Sequence, residues 1–216
     1  MNITVTLKQL DVLDSLDEKY QERMESNIDC ILDEQDEELL LTYLRSSNSI
    51  IRAGAVDLLR YSNAATTRDT LIDCAKKDPS HIVRSYCCSA LCDIAFERKE
   101  NDEIIPLLSK AFQKERSLHV KLAWIADLVD FANDEQLETY KNIILKGIRS
   151  RNRHNRYLAV KAIQADPRLI HQFGETFLKA AEQKEKCRYI RLELQEIMNT
   201  RGRFETTEKV EVKGRN

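Results

Sequence analysis

Two stretches of the chain decide the fold: residues 51–59 read IRAGAVDLL, and residues 83–91 read VRSYCCSAL. Both begin with an apolar residue and an arginine, and both continue with small, polar and apolar residues in the same order. Residues 155–163 (NRYLAVKAI) repeat this order, and residues 120–125 (VKLAWI) are a weaker copy with a lysine in the arginine position. The basic positions 52, 84, 121 and 156 lie 32, 37 and 35 residues apart. This spacing predicts an internal repeat of about 34 residues.

A second apolar pattern precedes each of these blocks. Before the last block, Leu137, Tyr140, Ile144 and Ile148 follow one another at three- or four-residue spacing, which places them on one face of a helix. Each repeat is therefore predicted to be a helix pair that buries its apolar face by stacking on the next pair, which gives a solenoid. Composition agrees, because 5 Gly and 3 Pro in 216 residues are too few for a fold with many tight turns.

The repeated block resembles the start of the second helix in HEAT repeats and in their armadillo-like relatives. The resemblance covers about residues 36–200 and implies an all-α, right-handed solenoid of four to five helix pairs. Arg188, 32 residues after Arg156, is the candidate basic position of a fifth repeat. Residues 1–35 carry leucines at helical spacing and are predicted to be N-terminal capping helices, although residues 3–7 alternate as in a short strand. Residues 201–216 are polar and are predicted to be a flexible tail.

Sequence motifs of enzymes are absent from the chain. It has no nucleophile motif, no glycine-rich phosphate loop, no dinucleotide fingerprint and no zinc-binding cysteine or histidine spacing. We therefore expect no catalytic activity, no cofactor and no metal. Trp124 with Asp127 resembles the aromatic and acidic pair with which HEAT-like DNA glycosylases hold a damaged base, so a glycosylase-like enzyme is an alternative. Packing of Trp124 in the core is the favoured interpretation.

Cysteines raise a second question of chemistry and also bear on location. Cys87 and Cys88, with Cys92 and Cys74 nearby, could form a metal or redox group, but they occupy small core positions of the repeat. Cysteine serves there as a small apolar side chain. All 6 cysteines lack a paired spacing, which predicts reduced thiols and a cytoplasmic location. No apolar run reaches the length of a membrane span, so no membrane partner is expected.

Charge is distributed unevenly along the chain. Residues 1–60 carry a net charge of −7 and residues 146–216 carry +8, although the whole chain carries −2. Arg149, Arg151 and Arg153 lie where the first helix of the fourth repeat turns into the second, and the repeat pattern does not require them. They are candidates to hold a carboxylate or a phosphate group, with a solvated loop as the alternative. The basic end continues through Lys184, Lys186, Arg188 and Arg191.

These observations predict a non-catalytic, protein-binding HEAT-repeat module, such as an adaptor, a regulatory subunit or an immunity-type inhibitor. The expected partner is a protein with an acidic or mixed-charge surface, and nucleic acid is the second choice. Polar positions of the second helices would form a concave, mixed-charge surface. The predicted partner-binding residues combine that surface with the basic run: Arg149, Arg151, Arg153, Asp57, Arg60, Ser89, Asp93, Asp127 and Lys161.

Overall fold

The structure is a computed structural model that describes the backbone of residues 34–62 and 64–213, with the side chains of residues 35–62 and 64–200. All regular elements in this part of the chain are helices, and it contains no strand, which confirms the all-α class. The predicted capping helices and the short strand before them lie almost entirely outside the described residues. The chain divides into two compact units, Met1–Val120 (unit 1) and Lys121–Asn216 (unit 2).

Unit 1 is built around one long central helix. Its elements are α1 (Glu34–Tyr43), α2 (Ser49–Leu59), α3 (Ala65–Lys77), α4 (His81–Arg98), α5 (Asn101–Lys114) and the first residues of α6 (Leu118–Leu128). The central helix α4 packs against α2, α3 and α5, while α1 packs on α2 and α3 also contacts α5. The small residues of the repeated block fill the contact between α2 and α4, where Ala55, Val56, Cys87 and Cys88 are fully buried.

Unit 2 continues α6 through a short 3-10 turn (Val129–Phe131). It then contains α7 (Asp134–Ile148), α8 (Arg153–Gln164), α9 (Pro167–Gln172), α10 (Glu175–Lys184) and α11 (Arg188–Lys213). α8 packs against α7, α9 and α11, and α10 packs on α11. Ala159, Val160 and Ile163 of the repeated block are fully buried, as in unit 1. The backbone of residues 201–213 is helical and continuous with α11, and the flexibility expected there stays a prediction.

A short turn of three to five residues precedes each of the five helices α2, α4, α6, α8 and α11. The residue three places before the helix start is Ser46, Asp78, Glu115, Ser150 and Glu185, in chain order. The fourth residue of the helix is Arg52, Arg84, Lys121, Arg156 and Arg191 in the same order. The basic positions predicted from the sequence therefore share one place in their helices. The fifth is Arg191 rather than Arg188, because α11 begins at Arg188.

Candidate functional site

Three arginines of the repeat connect successive turns. In unit 2, Arg156 Nε and Nη2 donate to Glu185 Oε2 and Oε1 at 2.7 and 3.0 Å, and Nη1 donates to the carbonyl oxygens of Ser150 and Arg151 at 3.1 Å. Unit 1 holds two equivalent bridges. Arg52 binds Asp78 at 2.8 and 2.9 Å and the carbonyls of Ser46 and Ser47, and Arg84 binds Glu115 at 2.8 and 3.3 Å and the carbonyls of Asp78 and Pro79.

The carboxylates of these bridges are nearly buried and fully engaged. The Glu185 side chain is only 6% exposed, and its Oε1 also accepts the backbone N–H of Cys187 at 2.8 Å. Burial by itself raises the pKa of Glu185, but the hydrogen bonds from Arg156 and from Cys187 outweigh it and hold the pKa below its ordinary value. The pKa of Glu115 is lowered in the same way, by Arg84 and by the backbone of Ser117. At neutral pH, Glu185 and Glu115 are therefore ionised, and each is neutralised by its arginine.

A groove of about 580 Å³ lies beside the Arg156–Glu185 bridge, and we call it the unit 2 groove. Its lining includes five large apolar side chains: Ile148, Val160, Phe177, Ile190 and Leu194. Three exposed cations, Arg149, Lys184 and Lys186, line it as well. Their side chains have neither an ion pair nor a hydrogen bond to any described residue. Glu185 is the only acidic side chain of this lining, and its carboxylate is already paired with Arg156.

Only one of the three arginines of the basic run predicted from the sequence lines this groove. Arg149, directly after α7, lines the groove. Arg151 and Arg153 are exposed next to it, within the turn and at the first residue of α8, and they do not line it. The structure also brings Lys184 and Lys186 to the same groove, although they lie more than 30 positions later in the sequence. One predicted residue and two residues of the basic end thus share one site.

A second groove, of about 660 Å³, lies beside the Arg84–Glu115 bridge, and we call it the unit 1 groove. Its cations come from α3, α4, α5 and the turn after α5: Lys76, Lys77, Arg84, Lys110, Lys114 and Arg116. Lys77 pairs with Asp73 at 2.9 Å, and Arg84 pairs with Glu115. The other four side chains have no ion pair or hydrogen bond with a described residue, although the charge of Lys76 acts on nearby Asp73. The sequence analysis missed this groove.

The predicted polar residues of unit 1 form a cluster between α2 and α4. Arg60 Nη1 lies 2.9 Å from Asp93 Oδ2, and Arg60 Nη2 also donates to Asp57. Burial raises the pKa of Asp57 and of Asp93, while Arg60 opposes that rise in both. Ser89 is half-buried on α4. These polar groups therefore join neighbouring helices, and their contact with a partner stays a prediction.

The predicted polar residues of unit 2 include a similar contact between α8 and α11. Lys161 Nζ lies 3.5 Å from Glu193 Oε2, and the Gln164 amide donates to the same oxygen at 2.6 Å. Asp127 on α6 is half-buried and has interactions within the protein. As in unit 1, the polar positions of the second helices are engaged with one another, and a role in partner binding stays a prediction.

Trp124, the histidines and the cysteines are the residues on which base binding, metal binding or thiol chemistry would depend. Trp124 is fully buried, so it exposes no ring face on which a base could stack. The rings of His81 and His119 meet edge to face at 4.6 Å, but no group of three or more metal-binding side chains occurs in the described part of the chain. The five cysteines of that part are free thiols. None of its helices combines the length and the apolar character needed to cross a membrane.

Comparison with known proteins gives no match to a family model, a curated protein or a solved structure. The resemblance to HEAT repeats therefore stays a prediction from the repeated block, and the functional argument depends on the two grooves.

Proposed function

We propose that the protein is a non-catalytic, protein-binding module, and that its unit 2 groove binds an acidic amphipathic helix of a partner protein. One observation carries this proposal: apolar side chains and three unpaired cations line the same groove, whose only carboxylate is occupied by Arg156. An amphipathic helix that binds in a groove places apolar side chains at i, i+3, i+4 and i+7. Glutamate and aspartate beside that stripe would pair with Arg149, Lys184 and Lys186.

The apolar lining favours a protein over a nucleic acid. Phosphate groups bind cations and need no apolar surface. A nucleic acid backbone would therefore leave the half-buried Ile148 and Phe177 without a matching partner. A peptide supplies both kinds of contact at once, which is why nucleic acid remains the second choice.

We propose further that the helix pairs stack as a right-handed HEAT-like solenoid. Support comes from the basic residue at the fourth position of five helices and from the three arginine–carboxylate bridges, which recur at one place of the repeat. In such an architecture each bridge ties a turn to the next one. A cytoplasmic adaptor, regulatory subunit or immunity-type inhibitor fits this arrangement, and the free thiols suit a reducing compartment.

The test replaces the three unpaired cations of the unit 2 groove in the variant R149Q/K184Q/K186Q. The probe is a labelled, capped peptide of about four helical turns, with leucines at the groove-facing positions and glutamates beside them. Binding is followed by fluorescence anisotropy at 0.15 M salt. Each exposed ion pair contributes about 0.5 kcal/mol, so the loss of three should weaken binding about tenfold.

The matched control is K110Q/K114Q/R116Q, which changes the net charge by the same amount in the unit 1 groove. Its affinity for the amphipathic peptide should stay within twofold of wild type. The proposal is wrong if the wild-type chain does not bind this peptide, or if both variants lose affinity equally. Tighter binding of a random oligonucleotide, lost in R149Q/K184Q/K186Q, would establish the nucleic-acid alternative instead.

A further inference from the structure

We infer that the unit 1 groove is a second, independent binding site, and that it takes a run of consecutive acidic residues from a partner protein. This inference goes beyond the function proposed for unit 2 and does not depend on it. The two grooves occupy equivalent places, because each lies beside an arginine–carboxylate bridge and includes the end of a first helix of its pair. Their linings nevertheless differ in charge and in apolar content.

Uncompensated positive charge is the main feature of the unit 1 groove. Lys76, Lys110, Lys114 and Arg116 are exposed and have no ion pair with any residue that the structure describes. The groove contains two carboxylates, but Arg52 and Arg84 already bind them. A ligand in this groove therefore meets four cations without an ion pair, and of these only Lys76 acts electrostatically on a described carboxylate, that of Asp73.

Helix ends explain only part of this charge. Lysines in the last turn of a helix interact favourably with its dipole, which accounts for Lys76 and Lys114. Lys110 lies one turn before the end of α5, and Arg116 lies beyond it. The helix dipole falls off within one turn, so it does not account for these two residues. Their presence in the groove points to a ligand with several negative charges.

The spacing of the cations fits an extended acidic chain. Lys110 and Lys114 are four residues apart on α5, which corresponds to a rise of about 6 Å along the helix. In an extended peptide, side chains on one face recur every second residue, about 6.6 Å apart. Any register of a run of Asp and Glu therefore presents carboxylates at nearly this spacing.

The remaining lining selects a charged peptide rather than an amphipathic helix or a nucleic acid. Leu107, 39% exposed, is the one large apolar side chain of this lining, beside Ala75 and Ala111. The unit 2 groove instead has two partly exposed large apolar side chains in its lining, Ile148 and the aromatic Phe177. The lining of the unit 1 groove also contains no aromatic ring on which a base could stack. An acidic peptide uses the cations and needs neither feature.

The test uses the full chain and a labelled, capped decapeptide of alternating Glu and Asp. We expect one peptide to bind per chain at low salt, with an affinity that falls as salt is raised from 0.05 to 0.15 M. The variant K110Q/K114Q/R116Q should bind at least tenfold more weakly. The variant R149Q/K184Q/K186Q has the same net charge as K110Q/K114Q/R116Q, and it should bind the acidic peptide with an affinity within twofold of wild type.

A crossed comparison separates this inference from the function proposed for unit 2. The amphipathic peptide reports on the unit 2 groove and the all-acidic peptide on the unit 1 groove, so either site can fail alone. Glutamine keeps the helix propensity of lysine, and circular dichroism should show an unchanged melting temperature. If the triple variant is less stable, K76Q/R116Q removes two cations outside α5 and should still weaken binding severalfold.

Three results would overturn the inference. The first is that the wild-type chain does not bind the acidic decapeptide at 0.05 M salt. The second is an equal loss of affinity in both triple variants, which would mean that binding follows net charge rather than this groove. The third is that a single-stranded oligonucleotide of about 20 bases binds more tightly than the peptide and depends on Lys110 and Lys114.

Discussion

Replacing Glu185 by glutamine should destabilise unit 2 by about 2 kcal/mol. The substitution keeps the shape of the side chain but removes the negative charge that faces Arg156. Two hydrogen bonds, at 2.7 and 3.0 Å, then lose their charged acceptor. Arg156 stays in place, because its Nη1 still donates to the carbonyl oxygens of Ser150 and Arg151.

The size of the effect follows from the burial of the pair. A hydrogen bond to a charged group contributes about 1.5–3 kcal/mol, and breaking a fully buried ion pair costs about 3–5 kcal/mol. The Glu185 side chain is 6% exposed, but that of Arg156 is 21% exposed, so water can partly replace the lost partner. About 2 kcal/mol is therefore expected, which changes the ratio of folded to unfolded protein about 30-fold.

Trp124 provides the assay. It is the only tryptophan of the chain, it belongs to unit 2 and it is fully buried, so its fluorescence follows the unfolding of that unit. Urea unfolding of wild type and E185Q, at pH 7 and equal protein concentration, gives the difference in the free energy of unfolding. The midpoint should fall, while the slope of the transition should stay unchanged.

The control is E138Q, the same chemical change in an exposed pair of the same unit. Glu138 is 60% exposed and lies 3.4 Å from Lys141, so its loss should cost no more than about 0.5 kcal/mol. If E185Q and E138Q unfold at the same urea concentration, the bridge does not stabilise unit 2 and the reasoning is refuted.

Two further predictions concern the same bridges. The pKa of Glu185 is lowered in the folded protein, so its stabilising contribution is complete above the unfolded value of about 4.3 and is lost as the pH falls through the lower folded value. The difference in urea midpoint between wild type and E185Q should therefore be largest at pH 7 and shrink as the pH falls below about 4.3, and a constant difference would contradict this. The variant K121R/S150E places an arginine and a carboxylate where the repeat has neither, and it should raise the free energy of unfolding by about 1 kcal/mol in the same fluorescence assay. S150E alone should give less, and an equal gain would show that no bridge had formed.

The repeated arginines could be predicted from the sequence, but their partners could not. Arg52, Arg84 and Arg156 occur in a local pattern of nine residues, which is why their common position was visible. The carboxylates lie 26 to 31 residues further on, and many acidic residues occur at such distances. The sequence did contain one signal: the residue six positions before each basic residue is Asp or Glu in three turns and Ser in the other two. Where the repeat has Lys121 instead of arginine, Ser150 stands at the position of the expected acidic partner.

The grooves show the same limit of local patterns. Arg149 belongs to a run of arginines, so its role in a basic site could be predicted. The unit 1 groove takes its cations from three helices and a turn, and the whole of α4 separates Lys76 from Lys110. Residues 61–145 carry a net charge of −3, which hides a locally basic surface. Net charge along a sequence averages over helix faces that point in different directions.

The arginine–carboxylate bridges also set rules for changing the number of repeats. The turn at Asp78 serves two neighbours, because Asp78 accepts from the preceding Arg52 through its side chain and from the following Arg84 through its backbone carbonyl. Excision of residues 78–114 would bring Glu115 to the place of Asp78 and leave Arg52 with a carboxylate at the same separation. A deletion that is not close to one whole repeat would leave a guanidinium or a carboxylate without its partner, so gain or loss in such a chain proceeds by whole repeats of about 34 residues.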